Sequence, residues 1–401
     1  MKNKLSEKIL NFFPIALVIY EISNYLANDA YLPAMPGIAE QLQTTNHLVQ
    51  LTLTSFFLGN ATMQLILGPI SDRYGRRVLL LGGGIIFIIT TLICALSHNI
   101  YTLLIIRFFQ GAAVTSMIIA GYATVHAMYD QVRAIKTLAW MNGITVLAPA
   151  LGPLFGGMIL VVASWRWIFI ILAIWAFFAW IALFKFMPET CETPIPIKPK
   201  KLMKQYGLVL FNKRFISPML TLSILYAVMI SWIAAGPFLV MDTFHYSAVN
   251  FGLIQGLVFG AFIIGTHLVT HLIEKIPLGR ITKISILLAM LGAGFGFIGS
   301  LVITKNLLTI VIPMMVFALG AGIGFPVLNR LSIEGSDEPM GIKMALFATF
   351  LGMSAFLGSI IISSFYTGTV LGFASIILGF SVFLIPLYFI QQGGKNVLLS
   401  K

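Results

Sequence analysis

Residues 68–97 of the chain, GPISDRYGRRVLLLGGGIIFIITTLICALS, decide its fold. The first ten positions hold four charged residues, and the last twenty hold none. About 20 consecutive apolar residues are what an α-helix needs to cross the hydrocarbon core of a bilayer. A membrane-spanning β-strand would instead alternate apolar and polar residues. The stretch therefore predicts a charged loop followed by a transmembrane helix.

The same alternation of apolar run and charged connection extends in both directions over all 401 residues. The chain is 59% hydrophobic and only 9% charged, against about 25% charged residues in an ordinary soluble domain. We predict an all-α polytopic membrane protein with twelve transmembrane helices. The predicted spans cover residues 12–35, 49–70, 78–97, 101–124, 137–160, 165–187, 213–240, 250–272, 280–303, 306–330, 341–365 and 369–390.

One segment interrupts this rhythm. Residues 188–212 contain four prolines and a run of lysines, which is typical of an extended linker. A short amphipathic helix is expected within it, around residues 202–210. Because six spans precede the segment and six follow, we predict an N-terminal six-helix half at 1–187, a cytoplasmic linker at 188–212 and a C-terminal six-helix half at 213–401.

The net charge of +12 does not require an acidic partner. If both termini are cytoplasmic, every lysine and arginine except Arg107, Arg166 and Lys305 falls on the cytoplasmic side. This bias is the positive-inside rule. It predicts a multi-pass protein of the bacterial cytoplasmic (inner) membrane. The lysines within 198–204 are expected to attract anionic membrane lipid.

Other classes of function find little support. No phosphate-binding Gly-x-x-x-x-Gly-Lys-Ser/Thr pattern is present, so ATP is not the expected energy source. Cys94 and Cys191 fall on opposite sides of the predicted membrane, and His267 and His271 have no third ligand nearby, so neither a disulfide nor a metal site is expected. No nucleophile lies beside a base in the sequence, so we expect no enzyme. We also expect no cofactor, and the charge distribution described above gives no reason to expect a nucleic-acid partner.

Three ionisable residues lie within predicted spans: Glu21 and Asp29 in the first, and Arg107 in the fourth. A charge at the bilayer centre costs about 2.5–3.5 kcal/mol on insertion scales, so such residues usually have a function. Eight helical residues place the two acids ~12 Å apart along the axis and roughly 80° around it. This spacing suits two carboxylates that lie at different depths and bind the proton and the substrate in turn. The alternative for Glu21 is that it is exposed to water near the cytoplasmic end of the helix. The alternative for Asp29 is that it is a hydrogen-bonded acid with a structural role only.

The loop in residues 68–77, GPISDRYGRR, resembles the signature loop of the major facilitator superfamily. In that family the loop acts as a latch that stabilises the outward-open state. The resemblance implies this role for Gly68, Asp72, Arg73, Gly75, Arg76 and Arg77. The alternative is that the arginines only anchor the loop at the lipid headgroups.

Two further motifs of this superfamily follow. Residues 103–111, LLIIRFFQG, resemble a motif whose membrane-embedded arginine, here Arg107, takes part in proton coupling; a purely structural charge pair is the alternative. Residues 148–157, APALGPLFGG, resemble the antiporter motif of exporters, although Ala139 and Ala148 replace glycines of the pattern. The motif positions carried over are Pro149, Gly152, Pro153, Gly156 and Gly157.

The first span resembles most closely the multidrug facilitator A (MdfA) type of drug/proton antiporter. Residues 17–29, LVIYEISNYLAND, carry both acids at the eight-residue spacing of that type. The related Bcr/CflA exporters share the element seen here at 29–33, DAYLP. The resemblance covers essentially the full chain, and it implies that Glu21, Asp29 and Arg107 couple transport to protons.

The resemblance also implies a substrate cavity. Its lining positions in the N-terminal half are Tyr25, Asn28, Asp29, Leu53, Met141, Asn142 and Thr145. Asn142 and Thr145 replace small alanines of the family, which should alter the substrate range. We add Trp232 and Phe238 from the seventh span, because aromatic surfaces bind many apolar shapes.

Together these features predict a proton-coupled antiporter that exports lipophilic, often cationic drugs and toxic compounds. The expected partners are small lipophilic substrates, protons and membrane lipid, and the expected state is a monomer. The nearest alternative is a dedicated exporter of one endogenous metabolite, such as a siderophore or an amino acid derivative. A transport-inactive receptor or scaffold would leave the intramembrane charges unexplained.

Overall fold

The structure, a computed structural model, describes residues 7–191, 199–303 and 306–396. Within these ranges it is all-helical, as the sequence predicts. The helices are α1 (Glu7–Asp29), α2 (Met35–Gln41), α3 (Asn46–Tyr74), α4 (Arg76–Ala95), α5 (Ile100–Ser116), α6 (Tyr122–Met128), α7 (Gln131–Thr145), α8 (Ala148–Val162), α9 (Trp165–Phe186), α10 (Pro199–Leu210), α11 (Lys213–Pro237), α12 (Ala248–Leu272), α13 (Leu278–Val302), α14 (Leu308–Glu334), α15 (Met340–Phe365), α16 (Val370–Val382) and α17 (Leu384–Asn396).

Over the described residues, the helices form twelve segments that are long and apolar enough to cross a membrane. The prediction of a twelve-helix membrane protein is confirmed. The segments are Glu7–Gln41, Asn46–Ser71, Arg76–Ala95, Ile100–Met128, Lys136–Val162, Trp165–Phe186, Lys213–Thr243, Ala248–Leu272, Leu278–Val302, Leu308–Glu334, Met340–Phe365 and Val370–Ile390.

The first segment runs to Gln41, beyond the predicted end of the first span at residue 35. A 3₁₀ turn (Leu32–Ala34) and α2 continue it, and each has a proline in its first positions. Proline lacks the N–H that an interior helical position needs, but it fits the first turn of a new helix. The prolines therefore divide this segment into successive helical pieces.

The fourth and seventh segments also run past their predicted ends, and each contains a π-helical piece. One lies at Met117–Gly121, between α5 and α6, and the other at Phe238–Thr243, after α11. A π-helical turn inserts an extra residue into the helix, and such turns are frequent at functional sites. The residues after each piece are therefore rotated relative to a regular helix.

The chain divides into two compact units, Met1–Lys198 and Pro199–Lys401. The predicted half boundaries at residues 187 and 213 stay a prediction. Residues 192–198 of the predicted linker lie outside the described residues. The remainder of that linker includes α10, which covers the amphipathic helix expected at 202–210 and packs on α11 and α15 of the second unit.

Glycines set the closest helix crossings in each unit. In the first unit, a Cβ at Gly59 of α3 would lie 2.0 Å from the carbonyl oxygen of Phe108, and one at Gly111 of α5 would lie 1.9 Å from that of Phe56. In the second unit, a Cβ at Gly322 would lie 2.1 Å from the carbonyl oxygen of a residue on α12. Small residues let membrane helices approach this closely, and any side chain here would separate them.

Candidate functional site

Arg107 lies on α5 and is fully buried. Its Nη1 donates to the carbonyl oxygen of Ala27 at 3.0 Å and to Oε1 of Gln110 at 2.8 Å. Its Nη2 donates to Oδ1 of Asn28 at 3.3 Å. Gln110 in turn donates to the hydroxyl of Thr91 on α4 at 2.8 Å. A buried cation is tolerated when its polar hydrogens find acceptors, and here α1 and α5 supply acceptors for both Nη atoms.

Two aromatic rings contribute to the environment of the same guanidinium. The ring centroids of Tyr31 and Phe56 each lie 4.7 Å from the guanidinium carbon of Arg107. The negative face of an aromatic ring attracts a cation, most strongly where water is excluded. The hydroxyl of Tyr31 makes a 2.7 Å hydrogen bond with that of Thr52 on α3, which fixes the ring. Arg107 is therefore a fixed positive charge held by α1, α3 and α5.

Asp29 ends α1 and is 4% exposed. Among the described residues it forms no direct ion pair with Arg107. The side chain of Asn28 connects them instead, because its oxygen accepts from Arg107 while its Nδ2 donates to Oδ1 of Asp29 at 3.4 Å. From the sequence, Asn28 was predicted to contact substrate only. Its bridging position has no sequence signal beyond its being next to the acid.

The predicted antiporter motif packs directly on Asp29. A Cβ added at Gly152 of α8 would lie 2.6 Å from the Cβ of Asp29, and one at Gly156 would lie 1.9 Å from the carbonyl oxygen of Ala30. Pro153 and Gly157 are buried in the same helix, and Pro149 is partly buried near its start. The lack of a side chain at Gly152 and Gly156 therefore sets how closely α8 approaches the end of α1.

Glu21 lies two turns earlier on α1 and has no exposed surface. The hydroxyl of Tyr122 donates to its Oε1 at 2.5 Å. Tyr122 is the first residue after the π-helical piece Met117–Gly121, so the extra residue there determines which way Tyr122 points. Tyr122 was not predicted from the sequence, because the π-helical turn leaves no pattern in the apolar run that surrounds it.

The predicted substrate positions have different environments. Leu53 and Met141 are fully buried, and Thr145 is 5% exposed. Tyr25 is 37% exposed, so its ring lies on a surface of the described structure. The side chain of Asn142 lies outside the described residues.

Trp232 and Phe238, the predicted substrate positions of the second unit, are both buried. The indole Nε1 of Trp232 donates to Oε1 of Gln255 at 2.7 Å, and its ring meets that of Phe373 edge to face at 5.9 Å between centroids. Gln255 is fully buried and was not singled out from the sequence. Trp232 thus has a polar partner that fixes its orientation.

The predicted conformational loop joins α3 to α4 at Gly75, whose φ of +101° favours glycine. Both oxygens of Glu189 accept backbone N–H bonds at the start of α4, from Arg76 at 3.1 Å and from Arg77 at 3.0 Å. A carboxylate at this end of a helix is stabilised by the helix dipole. Glu189 therefore caps α4. No role was predicted for Glu189 from the sequence.

The arginines of the loop bind the same region. The guanidinium of Arg76 donates to the carbonyl oxygen of Ala123 at 3.0 Å and to the hydroxyl of Thr190 at 3.1 Å. That of Arg77 donates to the carbonyl oxygens of Phe184, at 2.6 Å, and Met187. These contacts connect the loop to α6 and to the end of α9.

The other predicted loop residues are less enclosed. Arg73 is exposed beside the ring of Tyr74, whose centroid lies 5.2 Å away. Gly68 lies within α3 with no atom within 4 Å of an added Cβ. The side chain of Asp72 lies outside the described residues. Over the part of the chain that is described, no group of three His, Cys, Asp or Glu side chains is placed to hold a metal ion.

Comparison with known proteins agrees with this architecture. The family model described as Major Facilitator Superfamily matches residues 17–359. The chain belongs to the major facilitator superfamily. The bacterial homologue of the human lysosomal transporter Spinster, solved in an inward-facing and unoccupied conformation, shares this fold with a TM-score of 0.73, at 14% identity and over 96% of both chains.

Curated relatives of this superfamily member are drug transporters. It is 31% identical over 351 residues to the multidrug transporter MdfA of Escherichia coli, covering 86% of each chain. It is 30% identical over 346 residues to the chloramphenicol resistance protein CraA of Acinetobacter baumannii, covering 85% of this chain and 84% of the relative. The resemblance to drug antiporters of the superfamily is confirmed, and the chain is a multi-pass membrane protein.

Proposed function

We propose that this superfamily member exports lipophilic, often cationic drugs and toxic compounds in exchange for protons that enter the cell. The observation that carries the proposal is the buried group of Asp29, Asn28 and Arg107, on which the exporter motif packs at Gly152. The names of the relatives, a multidrug transporter and a chloramphenicol resistance protein, support the same function.

In this mechanism the proton and the substrate compete for buried carboxyl groups. In the outward-open state Asp29 and Glu21 bind protons; in the inward-open state a substrate displaces them. A ligand shifts a conformational equilibrium only by its difference in affinity for the two states. Arg107, which stays charged, would adjust how tightly the neighbouring Asp29 holds its proton, so that both forms are used in the cycle.

The remaining parts of the proposal concern setting and energy source. The distribution of lysine and arginine supports cytoplasmic termini in the inner membrane of a bacterium. The proton gradient would supply the energy without a cofactor, and the chain would act as a monomeric transporter in contact with lipid and not as an enzyme. The loop residues 68–77 would act as the conformational latch, and the predicted cavity positions would contact substrate.

The proposal is tested by efflux of a fluorescent lipophilic cation from cells that overproduce the chain. We expect efflux against the concentration gradient, and its loss when a protonophore collapses the proton gradient. The purified protein should also release protons into weak buffer when a transported drug binds. Efflux that persists without a proton gradient, or drug binding without proton release, would contradict proton exchange.

A dedicated exporter of one endogenous metabolite is the second candidate. The polar Asn142 and Thr145, at positions where the family has small alanines, favour it, since added polar groups narrow the range of substrates that a cavity accepts. Growth of the same cells on a panel of structurally unrelated toxic compounds separates the two. Protection against many compounds supports multidrug export, and protection against none supports the dedicated exporter.

A further inference from the structure

Four polar side chains of α1 lie on one stripe of the helix. They are Tyr20, Glu21, Asn24 and Asn28, all of them buried. At ~100° per residue they fall within about 100° of the helix circumference. Asn24 stands between the two ends of the stripe, with a rise of roughly 4.5 Å from Glu21 and roughly 6 Å to Asn28. The stripe therefore leads from one buried acid toward the residue that contacts the other.

Several polar atoms in the middle of this stripe have no regular partner. Among the described residues, neither amide atom of Asn24 makes a hydrogen bond of ordinary length and angle, nor does Oη of Tyr20 or Oε2 of Glu21. Tyr20 lies beside Asn24, close enough to interact with it. Buried polar groups without partners are rare and destabilise a structure. A group of four in one place indicates a ligand that these atoms share.

The chemistry of these atoms favours water over substrate. Asn24 offers a donor at Nδ2 and an acceptor at Oδ1, and a carboxyl oxygen and a phenol lie next to it. A water molecule can donate and accept, and so can satisfy all of them. A lipophilic cation such as tetraphenylphosphonium has no acceptor for Nδ2. Charged or titratable groups next to the stripe include Tyr122, which is bonded to Glu21, Tyr25, which interacts with Tyr122, and Arg107 at the far end, which is bonded to Asn28.

We propose that Asn24 is a positioning residue that holds a short chain of water between Asp29 and Glu21, and that protons pass along this chain during exchange. The proposal rests on the proposed function. In the step, the carboxyl group of Asp29 gives its proton to the adjoining water, and the last water of the chain gives a proton to Oε2 of Glu21. Asp29 becomes a carboxylate and Glu21 a carboxylic acid. Asn24 remains neutral throughout, and the total charge does not change.

Three variants of the full chain in proteoliposomes test this. Asn24→Leu keeps the number and branching of the side-chain heavy atoms but removes the polar atoms, and Asn24→Ser restores a polar group. Ser23→Ala is the matched control, since Ser23 is also buried on α1 but donates to the carbonyl oxygen of Tyr20 and lies off the stripe. Uptake of tetraphenylphosphonium driven by an imposed pH gradient is measured in H2O and in D2O. The Kd of tetraphenylphosphonium for each variant is measured as well.

We expect Asn24→Leu to slow exchange by roughly 100-fold, the low end of what a positioned proton-transfer group contributes. Its Kd should be unchanged and its solvent isotope effect larger than that of the wild type. Asn24→Ser should recover most of the rate, and Ser23→Ala should match the wild type. Any other result for Asn24→Leu, including a parallel loss of rate and binding with an unchanged isotope effect, overturns the proposal. A wild-type chain without gradient-driven uptake would instead refute the proposed function.

Discussion

At the scale of single residues, the buried charges are held by neighbours that leave their chemistry available. Arg107 bonds to a backbone carbonyl and two amides and lies between two rings, and it reaches Asp29 only through Asn28. A direct buried ion pair is often structural, and breaking one is strongly destabilising. The indirect arrangement lets Asp29 change protonation without removing the partner of Arg107.

This arrangement predicts the effect of removing both acids. In the double variant Glu21→Gln, Asp29→Asn, we expect efflux of a lipophilic cation against its gradient to fall to the level of cells without the protein. The amides keep the shape of the side chains and can still form hydrogen bonds, but they cannot bind a transported proton. Efflux is measured in intact cells at equal protein amounts.

Glu40→Gln is the control for that experiment, because Glu40 is an exposed acid on α2 of the same segment. It should leave efflux unchanged. Uphill efflux that survives in the double variant would show that neither buried acid carries the coupled proton.

At this scale the sequence predicts the charged residues but not the contacts that they make. The charges within apolar runs could be found, because charge is rare there. The partners of those charges, Asn28 and Tyr122, and the helix cap Glu189 could not be found, because they act through positions that only the folded chain defines. Tyr122 lies 101 residues from Glu21, and Glu189 lies 113 residues from Arg76.

At the scale of helices, the glycines of α8 determine how α1 is placed. Gly152→Ala would put a Cβ within 2.6 Å of the Cβ of Asp29, so α8 and the end of α1 must separate. Overpacking of this kind costs about 1–3 kcal/mol. We therefore expect a lower thermal unfolding temperature in detergent together with reduced drug efflux.

Gly82→Ala on α4 is a matched control, since an added Cβ there meets nothing within 4 Å. An alanine in the middle of a helix is about 0.5–1 kcal/mol more favourable than glycine, so this variant should unfold at the same or a higher temperature. A Gly152→Ala variant that behaves in the same way would mean that α8 does not constrain Asp29.

The start of α4 offers a second test at this scale. Glu189→Gln removes the negative charge that caps the helix, and we expect it to lower the free energy of unfolding by about 1 kcal/mol. The control is Glu334→Gln, which breaks an ion pair whose side chains are 57% and 59% exposed. Exposed i,i+4 pairs contribute only about 0.3–0.5 kcal/mol. Equal effects of the two substitutions in thermal unfolding would argue against the cap.

The helices themselves were predictable where length and apolarity decide them. Twelve runs of about 20 apolar residues gave twelve spans, because a bilayer imposes that length on every helix that crosses it. The ends of the first, fourth and seventh segments were placed too early. Prolines restart the helix after Asp29, and π-helical pieces extend it at Met117–Gly121 and Phe238–Thr243. Hydropathy records neither feature, because both depend on local backbone hydrogen bonding.

At the scale of the whole molecule, the distribution of charge determines how the chain is oriented. Positively charged residues are retained on the cytoplasmic side during insertion, and the connections that carry them alternate with connections that carry almost none. In the proposed exchange the direction of transport depends on this orientation, because protons would enter from the side to which drugs leave.

The orientation predicts which loops an impermeant maleimide can reach in intact cells. In a Cys191→Ser background, where the remaining Cys94 is buried, Thr367→Cys in the exposed connection between α15 and α16 should be labelled. Lys275→Cys, in the exposed connection between α12 and α13, should be labelled only after the cells are opened. The two sites differ by an odd number of predicted spans, so one labelling pattern excludes the other. Labelling of Lys275→Cys in intact cells, with Thr367→Cys protected, would place both termini outside and would reverse the direction of the proposed exchange.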